Sequence, residues 1–166
     1  MGEIIRQAAE ADAERLFQVI SEAYRSIREL GIEFRAVHAD LDMVRSNVAE
    51  HTCYVLELDG VIAATLSLKS LPEVTPHPFV YWFAVDPAAS GRGIGSRLLT
   101  YVERDVVRDT LLAPAVVLAT SRKHPWLLPM YRRRGYEPFF ERPLGQDDTL
   151  VFMKKTLLPA SSALPG

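Results

Sequence analysis

Three glycines, Gly91, Gly93 and Gly95, alternate through Ser90-Gly-Arg-Gly-Ile-Gly-Ser96, just after the apolar run Phe79-Val-Tyr-Trp-Phe-Ala-Val85. Glycine lets a backbone approach a ligand without a Cβ clash. The residues that follow have helical periodicity, so the string reads as a strand-to-helix turn. The first amides of a helix lack internal acceptors, and the helix dipole favours negative charge beside them. The chemistry on offer is therefore a phosphate cradle. A tight turn with no ligand has the same composition, and the string alone leaves both readings open. A P-loop needs G-x-x-x-x-G-K-[ST], which occurs nowhere. The dinucleotide fingerprint G-x-G-x-x-G fails too, because its third glycine position holds Ser96 counted from Gly91 and Leu98 counted from Gly93.

Other chemistries find less support. His38, His51, His77 and His124 show no zinc-ligand spacing with Cys53, so no metal is expected. No G-x-S-x-G nucleophile elbow is present. Cys53 opens a strand with no histidine partner and reads as core. It is also the one cysteine in the chain, which rules out an internal disulfide.

The glycine string resembles the acyl-CoA signature [Q/R]-x-x-G-x-[G/A] of the GNAT (Gcn5-related) N-acetyltransferase superfamily. The matching residues are Ser90-Gly-Arg-Gly93-Ile-Gly95, preceded by Val85-Asp-Pro87. Ile5 to Asp12 resembles that family's opening strand and helix cap, Tyr131-Arg-Arg-Arg-Gly-Tyr136 its Y-x-x-x-G-[FY] segment, and Met153 to Leu157 its last strand. The resemblance thus covers nearly the whole chain. Ser90 departs from it, standing where the family has glutamine or arginine. Arg92 could supply part of the missing charge.

The resemblance implies acetyl-CoA as co-substrate and a GNAT-like α/β fold. Its mixed, mostly antiparallel sheet would have splayed middle strands and helices on both faces. Phe83, Ala84 and Val85 would pair with the pantetheine arm through their backbones. Ser90, Gly91, Arg92, Gly93, Ile94, Gly95 and Ser96 would cradle the pyrophosphate. The Val85 N–H would bond the thioester carbonyl, and Tyr131 would protonate the departing thiolate. His124 stands where the family often has a cofactor-binding asparagine. Read alone, Tyr131 is a helix tyrosine packing on Leu127. Likewise, Arg132, Arg133 and Arg134 with Arg122 and Lys123 are either charge at a helix C-terminus or contacts to the CoA phosphates. The run Phe79–Val85 holds no carboxylate to serve as general base. Glu33, His38, Glu73 and His77 lie in flanking loops, each read as a solvated residue or a distant base. Tyr81 shares strand parity with Phe83 and Val85 and is expected on their side.

The elements that must position these residues follow from periodicity. Ile4–Gln7 reads as a strand. Asp12 precedes a helix whose face is Leu16, Ile20, Tyr24 and Ile27, stopping at Gly31. A second helix is expected over about Leu41–Glu50 with Asp40 as cap. Cys53–Leu58 and Val61–Leu68 read as strands joined at Asp59-Gly60. Pro72, Pro76 and Pro78 should break the next segment, and Phe79–Val85 should be a strand covered on both faces. A helix from Gly93 to Arg108 presents Ile94, Leu98, Val102 and Val106, with Arg97, Arg104 and Arg108 outside that stripe. Ala115–Thr120 reads as a strand, and His124–Arg134 as a helix bent by Pro129 and ended by Gly135. Phe139–Glu141 and Leu150–Lys155 close the order.

The chain's 166 residues, with 48% hydrophobic and 24% charged, fit one globular domain over residues 1–158 and a frayed tail over 159–166. A net charge of −2 gives no reason to expect nucleic acid or an anionic membrane. No signal peptide or membrane-spanning run is read, so a cytoplasmic location is expected. A homodimer is compatible by similarity. Two alternatives to an enzyme acting on a small-molecule or protein amine stay open: a non-catalytic acyl-CoA sensor or subunit, and an unrelated nucleotide binder.

Overall fold

The computed structural model describes residues 2–32, 34, 39–50 and 52–157. The order is β1 (Glu3–Gln7), α1 (Ala13–Glu29), α2 (Leu41–Ala49), β2 (Cys53–Leu58), β3 (Val61–Leu71), β4 (Thr75–Val85), α3 (Ile94–Tyr101), β5 (Ala115–Ser121), α4 (Leu127–Arg133), β6 (Glu137–Leu144) and β7 (Asp148–Thr156). The strands form a seven-stranded mixed sheet. The chain divides into two compact units, residues 1–68 with 81–99, and residues 69–80 with 100–166.

In the first unit β1, β2 and β3 pair antiparallel. Leu16, Val19, Ile20 and Tyr24 of α1, with Val44 and Val48 of α2, bury against Val55, Ile62 and Ala84. This is the apolar stripe expected from helical spacing. Asp40 caps α2, its carboxylate accepting the Met43 N–H at 2.8 Å, a bond worth about 1 kcal/mol.

In the second unit β5 pairs antiparallel with β7, and β7 with β6. The middle strands β4 and β5 are parallel and meet in register at Phe79 and Val117. Phe79 and Phe140 both pack on Phe152, with ring centroids 5.8 and 5.6 Å away.

Several expectations need correction. β4 begins at Thr75, so Pro76 and Pro78 lie inside it, near its start, where a missing N–H is tolerated. Within Phe79–Val85 only Val80 and Ala84 are buried, and the other residues of that run are half-buried. The helix begun at Ile94 turns π-helical over Val102–Arg108. Pro129 is the third residue of α4, in the first turn where no amide bond is lost, and Met130 makes the first one, to Trp126 at 3.1 Å. The expected tail lies outside the described residues.

Candidate functional site

In the first unit β4 ends at Val85, and Asp86 takes the chain into a short turn over Pro87–Ala89. The Asp86 carboxylate accepts the Ala88 N–H at 3.0 Å and the Arg15 guanidinium at 2.6 Å. Both hold it below the usual carboxylate range. Arg15, from α1, also donates to the Ile62 carbonyl at 3.0 and 2.8 Å. One arginine thereby joins helix, neighbouring strand and turn. The Ser90 hydroxyl donates back to the Pro87 carbonyl at 2.9 Å, closing that turn.

The three glycines then serve two purposes. Gly91 and Gly93 have φ of +83° and +73°, a region costly for any residue with a Cβ. A Cβ on Gly91 would meet nothing within 4 Å, whereas one on Gly95 would lie 2.8 Å from Val85 Cγ2. Gly95 therefore lets α3 sit directly on the strand end. The first α-helical bond runs from Arg97 N–H to the Gly93 carbonyl at 3.0 Å. The amides of Gly93, Ile94 and Gly95 precede it and face out of the helix N-terminus. An open glycine turn leading into such amides fits a pyrophosphate. Arg97, placed by sequence only outside the apolar stripe, folds back over the turn. It donates to the Arg92 carbonyl at 2.9 Å and to the Glu3 carboxylate at 2.8 and 2.7 Å.

The strand leading into the turn is irregular. Trp82 has φ of +51°, an unusual conformation for a bulky aromatic. Trp82 and Ala84 belong to the core under α1 and α2, while Phe83 and Val85 lie against Gly95. Tyr81 does not share their side. Its hydroxyl donates to Asn47 Oδ1 of α2, whose Nδ2 donates to Ser67 at 2.9 Å. Trp82 has reset the alternation on which the parity expectation rested. The Tyr24 hydroxyl donates to the Phe83 carbonyl at 2.8 Å, a tie from α1 that helical spacing hid by marking Tyr24 as core.

The second unit holds Tyr131 and His124. Tyr131, in α4, is 7% exposed, and burial pushes its phenol above the ordinary value. Its ring meets that of Tyr136 edge to face. His124 is buried against Trp126, its Nδ1 accepting the Trp126 N–H at 3.4 Å, and burial lowers its pKa. It is thus the neutral Nε2–H tautomer at neutral pH. Glu73 lies in the β3–β4 turn and is exposed, whereas His77 lies within β4 and is half-buried. Glu33 and His38 fall outside the described residues. Among the described residues no cluster of histidine, cysteine, aspartate or glutamate could hold a metal, and no helix is long and apolar enough to cross a membrane.

Comparison with known proteins adds to this geometry. Residues 13–136 match the acetyltransferase (GNAT) family. The S-(2-succino)cysteine N-acetyltransferase of Bacillus subtilis (strain 168) is 47% identical over 156 residues, covering 92% of this chain and 94% of that protein. The S-alkylcysteine N-acetyltransferase of the same organism is 45% identical over 162 residues, covering 95% and 90%. Among solved structures, the putative acetyltransferase yncA of Salmonella typhimurium, solved with its cofactor acetyl-CoA, has a TM-score of 0.73 at 17% identity and covers 94% of each chain.

Proposed function

This chain belongs to the GNAT acetyltransferase family, and from that premise we propose that it moves the acetyl group of acetyl-CoA to the α-amino group of a cysteine whose sulfur carries a substituent. The observation that carries the acyl-CoA half is the turn at Gly91–Gly95, with its left-handed glycines and outward amides. The acceptor half rests on two relatives, 47% and 45% identical, whose names share that chemistry.

Acetyl-CoA supplies an activated acyl group: the amine nitrogen bonds to the carbonyl carbon, the C–S bond breaks, and sulfur leaves as thiolate. The residues of the chain act around that exchange. The amides of Gly93, Ile94 and Gly95, with Arg92 at the rim, bind the pyrophosphate. The backbone of Phe83, Ala84 and Val85 holds the pantetheine. The Val85 N–H bonds the thioester oxygen, and one such donor is worth roughly 3–4 kcal/mol when the oxyanion forms. Ser90 keeps the turn closed, and Ser96 and His124 contact the cofactor. Tyr131, which burial keeps protonated, gives its proton to the thiolate, and the proton that the amine nitrogen sheds on becoming an amide returns to the tyrosinate through solvent.

A strand without a carboxylate base is consistent with this acceptor. An α-amino group titrates below a lysine side chain, so more of it is neutral at pH 7 without assistance. Calorimetric titration with acetyl-CoA, with CoA and ATP as controls, tests the cradle. Micromolar binding confined to the CoA forms supports it; ATP binding equally well would count against it.

A further inference from the structure

Within the second unit, Glu103 is a carboxylate on an apolar helix face. It follows Leu99 by four residues, precedes Val107 by four, and is 2% exposed. The helix is π-helical here, with Asp109 N–H donating to the Arg104 carbonyl at 3.0 Å. Such turns are frequent at functional sites. A buried carboxylate must be paired. Glu103 Oε1 lies 3.0 Å from Lys155 Nζ and 3.3 Å from Arg134 Nη2. Two cations already balance its charge. The Tyr136 hydroxyl nevertheless donates to Oε2 at 2.6 Å. Charge balance does not require this bond, but it anchors the hydroxyl end of the Tyr136 side chain, and because a phenol O–H lies in its ring plane the carboxylate also biases the tilt of the ring. Lys155 Nζ lies 5.8 Å from the same ring's centroid. Tyr136, with 0% exposure, presents that ring to Tyr131 at 5.7 Å and 69°.

We propose that Glu103 is a positioning residue for Tyr131, acting through Tyr136. The carboxylate orients Tyr136, and the Tyr136 ring limits how the Tyr131 ring can turn. The consequence for turnover rests on the reading of Tyr131 as the proton donor; the consequence for ring orientation does not.

The test pairs kinetics with NMR of tyrosine labelled with ¹³C at Cε, the Tyr131 signal being identified by its loss in Tyr131→Phe. In Tyr136→Phe and Glu103→Gln the Tyr131 signal should shift or double. In the same variants kcat should fall about tenfold while KM for acetyl-CoA holds within about twofold. Added to Tyr131→Phe, neither change should cost more, since coupled residues are not additive. An unmoved Tyr131 signal would overturn the proposal, as would a kcat loss that persists in full on the Tyr131→Phe background. Full kcat in Tyr131→Phe, with the signal still displaced in the other two variants, would support the positioning and remove the proton-donor reading. Should Glu103→Gln fail to fold, Tyr136→Phe carries the test, because it deletes one hydroxyl and leaves Glu103 with both cations.

Discussion

The Tyr136 N–H donates to the Tyr131 carbonyl at 3.0 Å. Gly135 N–H donates to the Arg132 carbonyl, also at 3.0 Å, and Gly135 has φ of +100°. Together these form a Schellman cap, in which the residue after the left-handed glycine bonds five positions back and packs against its partner there. The Tyr131-x-x-x-Gly135-Tyr136 spacing is the spacing of that cap. A string first read as a family resemblance thus has a mechanical meaning: it clamps two tyrosines together at the end of α4.

Gly135→Ala should loosen the clamp. A Cβ there would meet Lys155 Cε at 3.6 Å, an ordinary contact, so the cost is the backbone conformation. That cost is about 1–2 kcal/mol, or a Tm drop of roughly 2–8 °C in a chain of this size. Thermal unfolding checks it, and an unchanged Tm would contradict the cap.

The glycine turn offers two substitutions that differ in cause. Gly91→Ala meets open space and is penalised only through its φ of +83°. Gly95→Ala drives a methyl into Val85, 2.8 Å away, and overpacking of this kind costs about 1–3 kcal/mol. Both should weaken acetyl-CoA binding, but Gly95→Ala should also move Val85, the proposed carbonyl donor. Calorimetry and initial rates separate the two: Gly91→Ala should lose mainly affinity, and Gly95→Ala should lose kcat as well.

The pH profile of turnover should have one ascending limb. The acceptor amine must be neutral, so kcat/KM rises with pH through the titration of its α-amino group. Burial raises the Tyr131 phenol above its ordinary value near 10. It therefore stays protonated throughout, and no descending limb from this group is expected below about pH 10. A fall between pH 8 and 9 that disappears in Tyr131→Phe would contradict a raised phenol.

Acid should unfold the protein in two stages. Burial lowers the His124 pKa, so the unfolded chain takes up that proton first as pH falls. Its stabilising effect is complete above about 6.5 and is lost as pH drops through the folded value. Asp12, held down by Arg6, and Asp86, held down by the Ala88 N–H and Arg15, act lower. Their contribution is complete above about 4 and is lost as pH falls through their depressed values. Tm measured against pH should show both stages. His124→Gln should remove the upper one, and the deficit of Asp86→Asn should shrink towards zero at the acid end.

Much of this was legible in the sequence because it depends on local spacing. The stripe Leu16, Ile20 and Tyr24, the Asp40 cap and the turn at Gly91–Gly95 follow from helical periodicity and from what glycine alone permits. Other features depend on partners distant in sequence. Trp82 occupies a conformation that no aromatic prefers, held by packing under α1, and it misdirected the parity expected of Tyr81. Glu103 was hidden because a carboxylate four residues from Leu99 looks like a solvated helix residue until Lys155, Arg134 and Tyr136 arrive from elsewhere. The tie from Tyr24 to Phe83 was concealed by a correct assignment, since a core tyrosine still has a hydroxyl to satisfy. Pro76, Pro78 and Pro129 misled through their positions: each sits close to the start of an element, where proline is tolerated.

The measurement that tests the central claim most directly is the initial rate of free-thiol release from acetyl-CoA. The acceptor panel would be S-(2-succino)cysteine, two S-alkylcysteines, free lysine and a peptide with an unblocked N-terminus, with products identified by mass spectrometry. The account predicts N-acetylated S-substituted cysteine formed one for one with CoA thiol, at a kcat/KM at least about tenfold above lysine or peptide, a difference of roughly 1.4 kcal/mol in transition-state binding. Acetylation of lysine or peptide with no turnover of any S-substituted cysteine would contradict it.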